Sequence, residues 1–108
     1  MKLWKLRFTP EASRQIIRLH PDIKRQIMQA LHGIRKNPYS GKELQQELSG
    51  FKSLRMKQHL IIYDVDDDRQ SIQVYYVGRR RDVYEQYRRL LTQLQNSTTN
   101  KKRFSNHT

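Results

Sequence analysis

Three prolines, in the pairs Thr9-Pro10, His20-Pro21 and Asn37-Pro38, constrain the first third of this chain more tightly than anything else in it. Thr9-Pro10-Glu11 has the form of a helix start: a hydroxyl at the N-cap, proline in the first turn where no N–H is needed, and an acid beside it. Ala12, Ile16, Ile17 and Leu19 give this helix its apolar residues. His20-Pro21 ends it, because the residue before a proline avoids the α region. A second helix restarts on Pro21-Asp22, and Ile23, Ile27, Leu31 and Ile34 keep the helical period until Asn37-Pro38 stops it. Two helices joined so closely form an αα-hairpin.

The flanking segments follow a different period. Residues Lys2 to Phe8 alternate, with Trp4, Leu6 and Phe8 on one side and Leu3, Lys5 and Arg7 on the other, as a half-buried strand requires. Tyr39 to Gly50 reads as a polar connection anchored by Leu44 and Leu48. Three strands are then predicted: Phe51 to Lys57, His59 to Val65 and Ser71 to Val77, the last two rich in β-branched and aromatic residues. Asp64, Asp66, Asp67 and Asp68 sit at the turn between them and read as a solvated hairpin tip, not a metal site. A final helix is expected from Asp82 to Gln95, with Val83, Tyr87, Leu90, Leu91 and Leu94 as its buried stripe. The order β-α-α-β-β-β-α predicts an α+β fold: a first strand and a three-stranded antiparallel meander in one sheet, with an αα-hairpin and a C-terminal helix. Residues 1–96 form one domain in this reading, and residues 97–108, polar and without period, form a disordered basic tail.

Charge narrows the function. The chain has 108 residues, with 22 Lys and Arg against 10 acids, a formal charge of +12. Such a protein seeks polyanions: nucleic acid, an anionic surface or an acidic protein. No apolar run approaches the roughly 20 residues of a membrane span, and charges interrupt MKLWKLRF where a signal peptide needs an unbroken apolar stretch. A soluble, unexported protein is expected. There is no cysteine, so disulfide and thiolate chemistry are absent. His20, His32 and His107 have no partners at metal-ligand spacing, and neither a metal nor another cofactor is expected.

The stretch Val77 to Tyr87, VGRRRDVYEQY, concentrates the candidate chemistry. Asp82 and Glu85 have the spacing of a capping box. That spacing puts Tyr84 in the first turn of the last helix, at the edge of its core stripe on the side shared with Arg88. Arg79, Arg80 and Arg81 lie in the loop before it. Backbone N–H groups and the positive dipole end of a helix N-terminus favour an anion. Guanidinium groups stabilise a phenolate, and a tyrosine so placed can take the proton of a ribose 2′-hydroxyl while an arginine holds the charge on the phosphorane. A rim tyrosine also serves as a core cap with a wet hydroxyl, and consecutive arginines also serve as solvated charge. Position and charge alone therefore give anion binding and leave catalysis open. A second basic strip runs along the first strand of the meander, where alternation puts Arg55, Lys57 and His59 on one face and Leu54 and Met56 on the other. Lys52 lies just upstream. Two such strips converging on one face suit an extended polyanion.

Taken in order, RFTPEA, two helices ending at KNP, ELSGFKSLR, HLIIYDV and VGRRRDVYEQY resemble the RelE/ParE superfamily of bacterial toxins from toxin–antitoxin pairs, from Lys5 to Leu94. The resemblance implies a cytoplasmic protein and a cognate antitoxin whose acidic or amphipathic segment wraps it. RelE-like members cut mRNA at the ribosome without metal. By their pattern Arg80 resembles the phosphate-stabilising arginine, Tyr84 the base, and Arg55 with Lys57 the basic strand pair. Lys52, His59, Arg79, Arg81 and Arg88 are then expected to contact RNA. ParE-like members poison DNA gyrase and generally lack the terminal tyrosine. His59-Leu60 departs from the nuclease pattern, in which an arginine often stands where Leu60 does. An endoribonuclease is the expectation, with a gyrase inhibitor or a non-catalytic nucleic-acid-binding relative as alternatives.

Overall fold

Thr9 starts the first helix as its sequence demands: it is extended, and its Oγ1 accepts from the Ala12 N–H at 3.1 Å. In the computed structural model, which describes residues 3–100 and side chains through residue 94, β1 (Lys5–Phe8) leads into α1 (Pro10–Ile17) and α2 (Pro21–Lys36). α1 ends at Ile17, whose side chain is 71% exposed, so the core residues of this helix are Ala12 and Ile16. His20 caps α2 through its ring, with Nδ1 accepting from the Asp22 N–H at 3.2 Å. Asn37 closes α2 and accepts from the Tyr39 N–H as a short 3-10 turn begins.

The connection from Tyr39 to Gly50 is more ordered than its polarity suggested. It contains two 3-10 turns and a two-residue strand, β2 (Lys42–Glu43), and Gly50 enters the next strand at φ +101°, a conformation that favours glycine. Then come β3 (Phe51–Arg55), β4 (His59–Asp66) and β5 (Ser71–Arg79). The sheet order is β1-β5-β4-β3-β2, antiparallel except that β1 runs parallel to β5. β5 outruns β1, and the Val77 N–H beyond their pairing donates to Gln15 Oε1 of α1 at 2.8 Å. A buried amide that would have lost its ladder partner is thereby satisfied.

Each face of the sheet has its own core. On one, Ala12 of α1 and Ile27, Leu31 and Ile34 of α2 pack against Ile61, Tyr63, Ile72, Val74 and Val77. On the other, Leu48, Phe51, Leu60, Ile62 and Tyr76 receive Leu90 and the stripe Val83, Tyr87, Leu91 and Leu94 of α3 (Val83–Asn100). Strict alternation cannot produce this in β5, where Tyr75 and Tyr76 both belong to the α3 side. A register shift between Ile62 and Tyr63, which pair with Tyr76 and Val74, leaves Tyr75 as an extra residue. Such a bulge turns the strand over locally.

β3 ends at Arg55, short of the expected Lys57, β5 runs on to Arg79, and both ends of the last helix differ from expectation. The capping box at Asp82 is replaced by a 3-10 turn, Arg80–Asp82, with Val83 as the first residue of α3. Asp82 lies inside that turn, 3.9 Å from Arg81. α3 also continues to Asn100, past the expected end at Gln95; the remainder of the expected tail lies outside the described residues. Among the described residues no helix is long and apolar enough to cross a membrane, and no cluster of His, Asp or Glu is arranged to hold a metal ion.

Candidate nucleic-acid site

At the corner where β5 ends, three chain segments meet. His59 pairs with Arg79 and Leu60 with Gly78, so the end of β5 lies beside the start of β4. β3 stops at Arg55, and the Met56 N–H donates to the His59 carbonyl at 2.8 Å, closing the β3–β4 turn next to it. α3 begins directly above. The result is a hollow of about 710 Å³ lined by Arg55, Lys57, Gln58, Leu60, Arg79, Arg80, Arg81, Val83, Tyr84 and Tyr87. Five of these residues are cationic and none is acidic. Apart from Gln58, the rest of the lining is apolar or aromatic.

Main-chain contacts fix the arginine segment. The Arg80 N–H donates to the Gln58 carbonyl at 3.0 Å, and Arg80 Nη1 donates to the Lys57 carbonyl at 3.3 Å. From below, the Tyr76 hydroxyl donates to the Arg79 carbonyl at 3.0 Å. Tyr76 is 5% exposed. Burial, together with the carboxylates of Asp82 and Glu85, pushes its phenol up to about 12, so it stays a donor.

The two tyrosines of the lining differ. Tyr84 is 74% exposed at the mouth, and its ring meets that of Tyr87 edge-on, with centroids 6.2 Å apart at 88°. Tyr87 is half-buried deeper in, and burial raises its phenol above the ordinary value while the Arg55 guanidinium draws it down. Their spacing puts them on one helix face.

Of the residues expected at the site, Arg55, Lys57, Arg79, Arg80, Arg81 and Tyr84 come together in this hollow. Three do not line it. Lys52 is on the α1–α2 side of the sheet, with Nζ 3.1 Å from Glu43 Oε1 and 5.6 Å from the centre of the Tyr39 ring. His59 alternates with Leu60 onto that same side, and burial and the Arg79 charge lower its pKa. Arg88 is exposed on α3 outside the hollow. The expected common face for Arg55, Lys57 and His59 fails because the strand turns at residues 56–58, which takes Lys57 into the hairpin and breaks the alternation. Leu60, Val83, Gln58 and Tyr87 are additions. Tyr87 was legible as a stripe residue three positions from Tyr84, but its second role depends on where α3 docks.

The comparisons with known proteins agree with this architecture. A family model described as the ParE toxin of type II toxin–antitoxin system, parDE, matches residues 6–84. Toxin RelG of Mycobacterium tuberculosis is 30% identical over 83 residues, which cover 75% of this chain and 95% of that protein. The toxin–antitoxin complex RelBE2 of Mycobacterium tuberculosis contains a chain that superposes with a TM-score of 0.68 at 28% identity, covering 73% of this chain and all of that one (100%). The isolated E. coli RelE toxin shares the fold, with a TM-score of 0.63 at 18% identity over 82% of this chain and 98% of its own. On a family match that takes in most of the chain and a relative covered almost end to end, the protein belongs to the RelE/ParE superfamily and is a toxin of a type II toxin–antitoxin system.

Proposed function

We propose that this toxin is a metal-independent, ribosome-dependent endoribonuclease that cuts mRNA and so inhibits translation. The observation that carries the reading is the presence of Tyr84 and Arg80 in the lining of one hollow that has five cations and no acid. In the reaction, Tyr84 as the phenolate takes the proton of a ribose 2′-hydroxyl and becomes the phenol. The 2′-oxygen forms a bond to the adjacent phosphorus, and the bond from phosphorus to the 5′-oxygen breaks, leaving a 2′,3′-cyclic phosphate. Arg80 and Arg55 bear the negative charge of the phosphorane. Guanidinium groups do not give up protons in proteins. The departing 5′-oxygen therefore takes its proton from Lys57, the one ammonium group in the lining. Arg79 and Arg81 hold the flanking phosphates.

A cytoplasmic setting and a cognate antitoxin belong to the same reading. Relatives of the same fold are found in toxin–antitoxin complexes, among them RelBE2 and the intact E. coli RelBE. An acidic partner segment suits a chain of charge +12. The test is primer extension on a test mRNA in a translating extract. The parent protein is expected to give discrete cuts that persist with chelator present, and Tyr84→Phe to give none. Uncut mRNA with the parent protein excludes the reading.

Leu60 favours one alternative, inhibition of DNA gyrase. It is 2% exposed and stands in the lining where an arginine would grip a phosphate, and the matching family model is that of ParE toxins. A supercoiling assay with purified gyrase separates the two: a nuclease leaves supercoiling intact, whereas a gyrase inhibitor abolishes it and leaves mRNA whole.

A further inference from the structure

The arginine segment owes its place to a residue outside the hollow. The β-bulge at Tyr75 brings Tyr76 onto the α3 side of the sheet, directly under the end of β5. There the Tyr76 hydroxyl holds the Arg79 carbonyl at 3.0 Å. The ring fills the space beneath Gly78 so closely that a Cβ there would lie 2.5 Å from the phenol oxygen and 2.7 Å from the ring carbon bearing it. A side chain at position 78 would have to push the Tyr76 phenol aside. One residue on, the Arg80 N–H is fixed by the Gln58 carbonyl. The main chain from Gly78 to Arg80 is thus gripped from below by a phenol and from the side by the β3–β4 turn.

We infer that Tyr76 is the positioning residue of the site: its hydroxyl and ring set the height of the Arg79–Arg80 backbone, and through it the place of the Arg80 guanidinium over the hollow. The inference rests on the endoribonuclease reading for its catalytic consequence and on geometry alone for its effect on phosphate binding. Tyr76 touches no substrate in this account; it acts through Arg80. A displacement of about 1 Å in a phosphate-binding group is enough to cost up to about 10²-fold in rate.

The experiment is a double-mutant cycle between Tyr76→Phe and Arg80→Ala, read by the rate of mRNA cleavage on translating ribosomes and by equilibrium binding of a 2′-O-methyl RNA oligonucleotide, which cannot be cut. Tyr76→Phe is expected to lower the cleavage rate about tenfold and to weaken oligonucleotide binding several-fold, and both losses should vanish when Arg80 is already alanine. Gly78→Ala, which presses on the phenol from the other side, is expected to show the same dependence on Arg80. If the losses are equal with and without the Arg80 side chain, Tyr76 is only a packing residue and the inference is overturned. It is equally overturned if Tyr76→Phe binds and cuts like the parent. Should the parent leave RNA whole, the endoribonuclease reading fails separately and the oligonucleotide arm alone decides: Arg80-dependent weakening upholds the positioning role, and unchanged binding overturns it.

Discussion

The Arg80 guanidinium donates to the Lys57 carbonyl at 3.3 Å, so the segment after β5 and the turn between β3 and β4 are tied together by the residue that faces the hollow. An arginine anchored by one nitrogen of its fork keeps its remaining N–H groups for a phosphate, and it holds them without the entropy cost of a free side chain.

Replacing Arg80 by alanine is therefore expected to lower cleavage by about 10²–10³-fold, the usual cost of removing one preorganised donor to a developing negative charge. Stability should change by no more than about 0.5 kcal/mol, because the side chain is exposed. Arg80→Lys should recover little, since a single ammonium cannot hold the Lys57 carbonyl and a phosphate together. Single-turnover cleavage alongside urea unfolding checks both halves.

Tyr84 exposes 74% of its surface, so Tyr84→Phe removes a hydroxyl at the surface and leaves the packing of α3 in place. Cleavage is expected to fall by about 10²-fold or more, in the range for loss of a general base, while RNA binding and the melting temperature stay at parent values. Growth arrest on induction, which the parent should cause and the variant should not, is the simplest measurement.

Five cations line the hollow. If all five engage a single strand, binding of a non-cleavable RNA should weaken with salt at a logarithmic slope of about −3.5, taking about −0.7 per neutralised phosphate. Arg81→Ala should reduce that slope by about 0.7 and weaken binding to all sequences alike. A slope near zero would mean that the hollow does not hold the backbone.

Lys52 and His59 supply a contrast. Both belong to the basic run around β3 and the start of β4, yet both lie on the α1–α2 side, Lys52 paired with Glu43 and His59 out of phase with Leu60. Lys52→Met and His59→Gln are expected to cut RNA at the parent rate, whereas Arg55→Ala, from the same run, is expected to be impaired. Equal impairment of all three would show that the polyanion wraps both faces of the sheet.

That contrast marks where the sequence stopped being legible. The helices could be read because Thr9-Pro10, His20-Pro21 and Asn37-Pro38 act through local sterics and capping, which need no tertiary partner. His59 does not share the face of Arg55 and Lys57 because a turn at residues 56–58 interrupts the period, and no glycine or proline marks it. The bulge at Tyr75 is equally silent: two adjacent tyrosines look like ordinary alternation until β4 is paired with β5. The 3-10 turn that displaces the Asp82 cap also follows from long-range contacts, since Arg80 is held by Gln58 across the sheet. Tyr84 and Arg80 were legible because their separation in the chain is short.

Tyr76 also gives the fold an alkaline signature. An unfolded tyrosine ionises near 10, whereas burial beside Asp82 and Glu85 pushes this one up to about 12. Between those values the unfolded chain has released a proton that the folded chain keeps, so the unfolded state binds fewer protons and stability falls as pH rises. The contribution is complete below the unfolded value and is lost as pH climbs through the folded one. Tyr63 and Tyr87, raised by their own burial, shift in the same direction. The useful quantity is therefore the difference between parent and Tyr76→Phe. Urea midpoints measured about one pH unit below and one above the ordinary tyrosine value should fall further in the parent than in the variant. Parallel declines would mean that the Tyr76 hydroxyl is open to water and does not hold the Arg79 carbonyl.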